Sequence, residues 1–325
     1  MILNVVLLLI GFVALIKGAD WFVDGSASLA KIFRVPSLII GLTIVALGTS
    51  APELAVSSTA ALQGANEIAL SNVVGSNMFN LLVVLGACAL FCKVPCGDDV
   101  LKRDFPISML CAGLVLIFSF SIDVFSGGSV FGHDMAAQAG ILGRLEGVVL
   151  IVLFIAYILW LIREAKNNKT EESTEELKPV WKCFLLIVIG IALIVAGGNA
   201  VVNSAKEIAR FFGMTETLIG LTIVALGTSL PELVTSIVAA RKNEVGLAVG
   251  NVIGSNIFNL MLILGTSALL NPIAVNFASF FDLIILILMS LVTYAFVVTK
   301  KELNRGEGII MMLIYAAQIV FAIVR

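Results

Sequence analysis

The chain has 325 residues, of which 60% are hydrophobic and only 13% charged, with a formal net charge of −2. A soluble domain is typically about 45–50% apolar and about 25% charged. The composition therefore excludes an ordinary soluble globular protein and points to a chain that crosses a lipid bilayer many times. The slightly acidic balance also excludes the basic footprint of a nucleic-acid partner.

A spanning helix takes about 20 mostly apolar residues. Ten such segments are predicted, at 2–24, 36–62, 67–91, 104–122, 144–163, 181–204, 215–240, 245–270, 279–299 and 307–324. The first has no basic leader and no clear small-residue cleavage site, so it is read as a membrane helix rather than a signal peptide. Ala19–Phe33 is expected to prolong it past the bilayer. Asp20 and Asp24, near Lys17, are expected to be solvated or paired.

The second segment carries Gly41–Leu54, GLTIVALGTSAPEL. Pro52 removes a backbone N–H and frees a carbonyl four residues earlier, at Gly48. Glu53 is costly in lipid and calls for a functional reason. Ser50 and Thr49 lie three and four residues before Glu53, a spacing that places them on its helix face. The third segment sets Ser71, Asn72, Gly75, Ser76, Asn77 and Asn80 in an apolar run, with Ser76 and Asn80 on one face. Gly75-Ser76 is expected to let this helix bend and approach a neighbour closely. Gly41 and Gly86 are read equally as packing or functional positions. Between the fourth and fifth segments, Ser121–Gly143 is a polar break holding the lone His133, read as a solvated loop residue. The five cysteines show no metal-ligand pattern and read as buried or reduced thiols.

Arg163–Lys178 is polar and too short and apolar-poor for a core, so it is a connection. It divides the chain into halves at 1–163 and 181–325 joined by a linker at 164–180. After it the pattern returns. Gly220–Leu233 reads GLTIVALGTSLPEL, and ten consecutive residues, Gly41–Ser50 and Gly220–Ser229, are identical. Adding 179 maps Gly11 to Gly190, Gly18 to Gly197, Glu53 to Glu232, Ser76 to Ser255 and Asn80 to Asn259 without a gap. The offset spans five helices, an odd number, so the second copy enters the membrane from the opposite side. Such inverted repeats build secondary transporters, with equivalent residues converging near the midplane. The predicted fold is an all-α polytopic membrane protein of ten helices in two inverted five-helix repeats. With both termini outside, cytoplasmic loops hold 15 Lys and Arg against 4 on the outer side, so the positive-inside rule puts the linker in the cytoplasm.

Glu53, Thr49, Ser50, Ser76 and Asn80 from the first half, with Glu232, Thr228, Ser229, Ser255 and Asn259 from the second, form a set of oxygen donors without His or Cys. Hard cations such as Na⁺ and Ca²⁺ take such ligands. Two ionised glutamates balance one Ca²⁺ or two Na⁺, and competition for one carboxylate pair is a physical basis for exchange. Asn in a membrane helix can also be interhelical glue. Two glutamates in matching GTSxPE contexts outweigh a purely structural reading.

The motifs GTSAPE (Gly48–Glu53) with GSNMFN (Gly75–Asn80), and GTSLPE (Gly227–Glu232) with GSNIFN (Gly254–Asn259), resemble the two α-repeats of the cation/calcium exchanger superfamily. Within it they are similar to sodium/calcium exchangers of the prokaryotic type. The resemblance implies alternating access, with Na⁺ entry driving Ca²⁺ extrusion. It makes Glu53 and Glu232 shared ligands of both ions. It places Thr49, Ser50, Ser76, Thr228, Ser229 and Ser255 in Na⁺ sites with the carbonyls of Ala46 and Ala225. Asn80 and Asn259 would flank the centre. The helices at Leu3–Lys31 and Lys182–Arg210 would slide across the bundle to switch access. Potassium-dependent relatives carry Asp where this chain has Asn259, so K⁺-independent exchange is implied. The linker has no room for the large cytosolic calcium-sensing domains of animal exchangers. No cofactor is expected, the ions and the bilayer are the expected partners, and a single chain is expected to function in the cell membrane. A proton-coupled calcium exchanger is the nearest alternative and a passive cation channel a weaker one. An enzyme is not expected, since no paired aspartates, Ser-His set or metal-ligand helix lies in the apolar runs.

Overall fold

A computed structural model describes residues 1–119, 138–167, 178–214 and 225–324. The apolar runs fold as helices. We name them α1 (Ile2–Phe33), α2 (37–62), α3 (66–91), α4 (100–118), α5 (Arg144–Asn167), α6 (Val180–Phe211), α7 (225–241), α8 (245–270), α9 (Phe277–Lys300) and α10 (Arg305–Val324). Among the described residues seven of these, α1, α3, α5, α6, α8, α9 and α10, are long and apolar enough to span a membrane, and the bent α2 is an eighth. With α4 and the described part of α7 they give the ten-helix layout. The fourth helix begins and ends four residues earlier than expected, because it opens in a π turn at Val100–Asp104. His133, most of the linker and residues 215–224 lie outside the described residues.

Helices α3 and α8 are the axis of the bundle: 83% and 94% of their most apolar stretches are buried, against 22% for α1 and 28% for α5. The outer helices turn faces such as Leu9, Ile10 and Val13 outward, as a lipid-facing surface requires. Helices α1 and α6 form an antiparallel pair on a stripe of glycines seven residues apart. A Cβ on Gly18 would come within 2.8 Å of the Gly190 carbonyl oxygen, and one on Gly197 within 2.7 Å of the Gly11 carbonyl oxygen. Only glycine permits that backbone approach.

Each half also clasps the other through equivalent contacts. Gly86 in α3 meets Gly308 in α10, and its counterpart Gly265 in α8 meets Gly147 in α5. Gly41 meets the Leu247 carbonyl, so both Gly41 and Gly86 serve packing. Gly254 approaches α2 closely, as its Gly-Ser pair suggests; among the described residues a Cβ on Gly75 would meet nothing within 4 Å. Neither central helix is broken at the Gly-Ser pair. The irregularity falls a turn later, in π turns at Asn80–Val84 and Asn259–Ile263. Two short antiparallel pairings add to the all-helical expectation: β1 (Val94–Pro95) with β4 (Glu302–Leu303), and β2 (Gln138–Leu142) with β3 (Ile273–Asn276). Both tie a loop of one half to a loop of the other. Asp98, between Lys102 and Lys301, reinforces the first; those two ammonium groups hold its carboxyl down at about 2.

Candidate cation site

The site begins with two helix breaks. In α2, Ser37–Thr49 and Ala51–Leu62 meet at an angle of 49°. Ser50 lies between them with φ −83° and ψ 7°, and Pro52 sits in the first turn of the second segment. Proline is tolerated there because its missing N–H has no intrahelical partner in a first turn. Ser229 repeats this with φ −93° and ψ 7°, ahead of Pro231. Each break exposes the N-terminus of a half-helix that carries a glutamate in its first turn, Glu53 or Glu232. A carboxylate is favoured at that end of the helix dipole.

The two breaks face each other, and their side chains pair across the halves. Ser50 Oγ donates to Glu232 Oε1 at 2.9 Å, and Ser229 Oγ donates to Glu53 Oε1 at 3.2 Å. Ser50 caps the second segment, its carbonyl accepting from the Leu54 N–H at 3.1 Å, while its hydroxyl reaches the other half. Ser229 Oγ also lies 3.0 Å from Ser76 Oγ. Thr49 Oγ1 is 2.9 Å from Asn251 Oδ1, and Thr228 Oγ1 is 3.4 Å from Asn72 Oδ1. Asn251 and Asn72 are anchored in turn by Ser236 at 2.9 Å and Ser57 at 3.0 Å. The Ala46 carbonyl accepts from the Ser50 N–H at 3.0 Å, and Ala225 opens the described part of α7.

Behind the glutamates, α3 and α8 meet through four asparagines. Asn77 and Asn256 each donate to the other's backbone carbonyl, at 3.2 and 3.3 Å. Asn80 Nδ2 donates to Asn256 Oδ1 at 3.2 Å, and Asn259 Nδ2 to Asn77 Oδ1 at 3.0 Å. The turn that begins at Asn80 packs on the half-helix of Glu232, and the turn of Asn259 on the half-helix of Glu53. Asn77, already part of the polar run of the third segment, and its counterpart Asn256 lie at the centre of these contacts. The signal for the amides was present in the four-residue spacing of Asn72, Ser76 and Asn80, repeated by Asn251, Ser255 and Asn259.

Glu53, Glu232, Ser50, Ser229, Thr49, Ser255 and Asn259 are wholly buried, and Ser76 and Asn80 are 2% and 1% exposed. Thr228 is half-buried. Among the described residues, five polar atoms of this set have no hydrogen-bond partner: Glu53 Oε2, Glu232 Oε2, Asn80 Oδ1, Asn259 Oδ1 and Ser255 Oγ. Burying unpartnered oxygens is costly, and four of the five are acceptors from residues paired by the 179-residue offset. Such oxygens fit a hard cation. Among the described residues no group of three or more His, Cys, Asp or Glu could hold a metal, so a cation here relies on two carboxylates and neutral oxygens.

A cavity of about 300 Å³ reaches Thr228 between α2, α6 and α7, lined by Pro52, Pro231, Asn199, Asn203 and Lys206 among others. The equivalent region of the other half is bridged instead. Lys242, after α7, binds Asp20 and Asp24 of α1 at 2.5 and 2.7 Å. Asp20 and Asp24 are thus paired, as expected, but with Lys242 rather than with the neighbouring Lys17.

A bundle of membrane helices with two opposed broken helices and buried carboxylates at the breaks is the framework of a helical membrane transporter. The profile of the family described as sodium/calcium exchanger protein matches residues 3–163 and 182–324, and the chain belongs to that family. It is 36% identical to a putative antiporter, CaxA, of Alkalimonas amylolytica, over 97% of both chains. It is 35% identical to the sodium/calcium exchanger MaX1 of Methanosarcina acetivorans, over 98% of this chain and 97% of that one. The fold matches the sodium-calcium exchanger NCX_Mj with a TM-score of 0.82 and 31% identity, covering 100% of this chain and 99% of the other.

Proposed function

We propose that this protein is a secondary active antiporter that exchanges Na⁺ for Ca²⁺ by alternating access, without K⁺. Its ion site is built from Glu53, Glu232, Thr49, Ser50, Ser76, Asn80, Thr228, Ser229, Ser255 and Asn259, with the carbonyls of Ala46 and Ala225. The observation that carries the reading is the crosswise set of buried, unpartnered oxygens on Glu53, Glu232, Asn80 and Asn259. A site with two carboxylates and no other charge is neutralised by one Ca²⁺ or two Na⁺. The charged site without a cation is costly to carry through lipid, which couples movement to occupancy. Amides at both 80 and 259 leave no third carboxylate for an additional cation.

Access is read as one-sided. The halves are 1–163 and 181–325, joined by the linker 164–180. With the termini extracytoplasmic in a multi-pass cell membrane protein, the cavity at Asn199, Asn203 and Thr228 opens outward. The Lys242 cluster then lies at the cytoplasmic side. Sliding of the α1–α6 pair across the bundle would exchange the two, and one chain suffices for the cycle. The glycine stripe favours this, since it joins α1 to α6 as a unit.

The test is ⁴⁵Ca²⁺ uptake into proteoliposomes under an imposed Na⁺ gradient, a pH gradient or neither, with and without K⁺. Uptake driven by Na⁺ alone and indifferent to K⁺ is expected. Drive by the pH gradient would establish a proton-coupled exchanger, and gradient-independent flux a channel.

A further inference from the structure

We infer that Asn77 and Asn256 are positioning residues that fix which end of the Asn80 and Asn259 amides is turned to the cation. This inference rests on reading those two amides as ion ligands. A side-chain amide offers a cation its oxygen at one end and a repelling NH₂ at the other. In a buried site something must decide between the two orientations.

The decision starts at backbone. Asn77 Nδ2 donates to the Asn256 carbonyl and Asn256 Nδ2 to the Asn77 carbonyl. A carbonyl can only accept. Turning either amide over would set oxygen against oxygen in a place closed to water, and would leave an N–H unmatched. The polarity of Asn77 and Asn256 is therefore dictated by groups that cannot be inverted. Their own Oδ1 atoms are then left to accept, and each takes one N–H from the next amide: Asn80 to Asn256, Asn259 to Asn77. With their NH₂ ends held, Asn80 and Asn259 present Oδ1 as the free end, and both oxygens are buried without a donor among the described residues. All four side chains are at most 1% exposed, so water does not compete for these bonds. The ligand oxygen of one half is thus oriented by an asparagine of the other half.

The crossing makes the test specific. The Ca²⁺ dissociation constant is measured by titration calorimetry on the purified full-length protein, with Na⁺-driven ⁴⁵Ca²⁺ uptake recorded on the same preparation. Asn256→Leu, which keeps shape and removes both polar ends, is expected to weaken Ca²⁺ binding about tenfold. In an Asn80→Ala background, where there is no amide left to orient, it should change binding less than about twofold. In an Asn259→Ala background its full effect should persist. Asn77→Leu should show the mirror pattern, silent with Asn259→Ala and fully effective with Asn80→Ala. The melting temperature separates a positioning effect from loss of fold. If a leucine variant fails to fold, Asn77→Ala and Asn256→Ala carry the same cycles. An equal loss in both backgrounds, or no loss in the wild-type background, overturns the assignment. Failure of Na⁺-driven uptake by the wild-type protein would instead overturn the exchanger reading, and the two outcomes are read separately.

Discussion

Lys242→Gln tests how access is biased. Gln is the residue that the other half carries at the equivalent place, Gln63, where Asn199 and Asn203 stand in for Asp20 and Asp24. In the structure Lys242 contacts Asp20 at 2.5 Å and Asp24 at 2.7 Å, and the three side chains are 29%, 35% and 41% exposed. Ion pairs this open to solvent are screened and contribute about 0.5 kcal/mol each. Together they favour the state with α1 held to the end of α7 by about 1 kcal/mol, a roughly fivefold bias in the ratio of the two access states. Lys178, 3.9 Å from Asp24, adds a weaker contact that the substitution leaves in place. The assay is the apparent Ca²⁺ KM measured at each face, in right-side-out and everted vesicles. Removing the lysine should lower the KM at the cytoplasmic face up to about fivefold, because a competent state that was rare becomes common. The outer KM should change little, and raising the salt to about 0.5 M should bring the wild-type protein toward the variant. An unchanged cytoplasmic KM, or equal shifts at both faces, would refute the reasoning.

Other substitutions probe the site and the frame. Glu53→Gln or Glu232→Gln leaves half the charge to meet Ca²⁺ and should cost about 3 kcal/mol or more, roughly 100-fold in kcat/KM, measured as Na⁺-driven ⁴⁵Ca²⁺ uptake. Ser50→Ala and Ser229→Ala each remove a hydroxyl from a carboxylate of the other half. Both should raise the Ca²⁺ KM about tenfold, and a silent result for either would break the crosswise account. Gly18→Ala drives a methyl to 2.8 Å from the Gly190 carbonyl oxygen and should destabilise the protein by about 1–3 kcal/mol in thermal unfolding. Gly113→Ala, with nothing among the described residues within 4 Å of the new methyl, should be neutral or mildly stabilising.

What could be read from sequence was whatever is costly in lipid. Pro52, Pro231, Glu53 and Glu232 interrupt apolar runs, and their repetition at a fixed offset announced two breaks and one site. Pairing was less legible, because it is set by three-dimensional crossing. Ser50 is three residues from Glu53, and only the apposition of the two halves shows that its hydroxyl bonds Glu232. An asparagine in a membrane helix can be interhelical glue, and Asn77 and Asn256 do join α3 to α8. That their bonds also orient Asn80 and Asn259 depends on which carbonyl each amide meets. The strand pairings escaped because two to five residues in a loop carry no period to read.

The symmetry itself is unequal. At the site it is close: Ser50 and Ser229 each serve the opposite glutamate, Thr49 and Thr228 each meet an opposite asparagine, and Asn77 and Asn256 exchange bonds while each accepts one from Asn259 or Asn80. At the gates it is broken, with Asp20, Asp24 and Lys242 on one side and Asn199, Asn203 and Gln63 on the other. A symmetric site offers the same ligands from either face, so the chemistry of binding gives the transporter no direction. Charged gate residues act on a different quantity, the relative energy of the two access states. Selection can therefore retune which face is open at rest by changing surface charges, while the buried carboxylates and amides that choose the ion stay as they are.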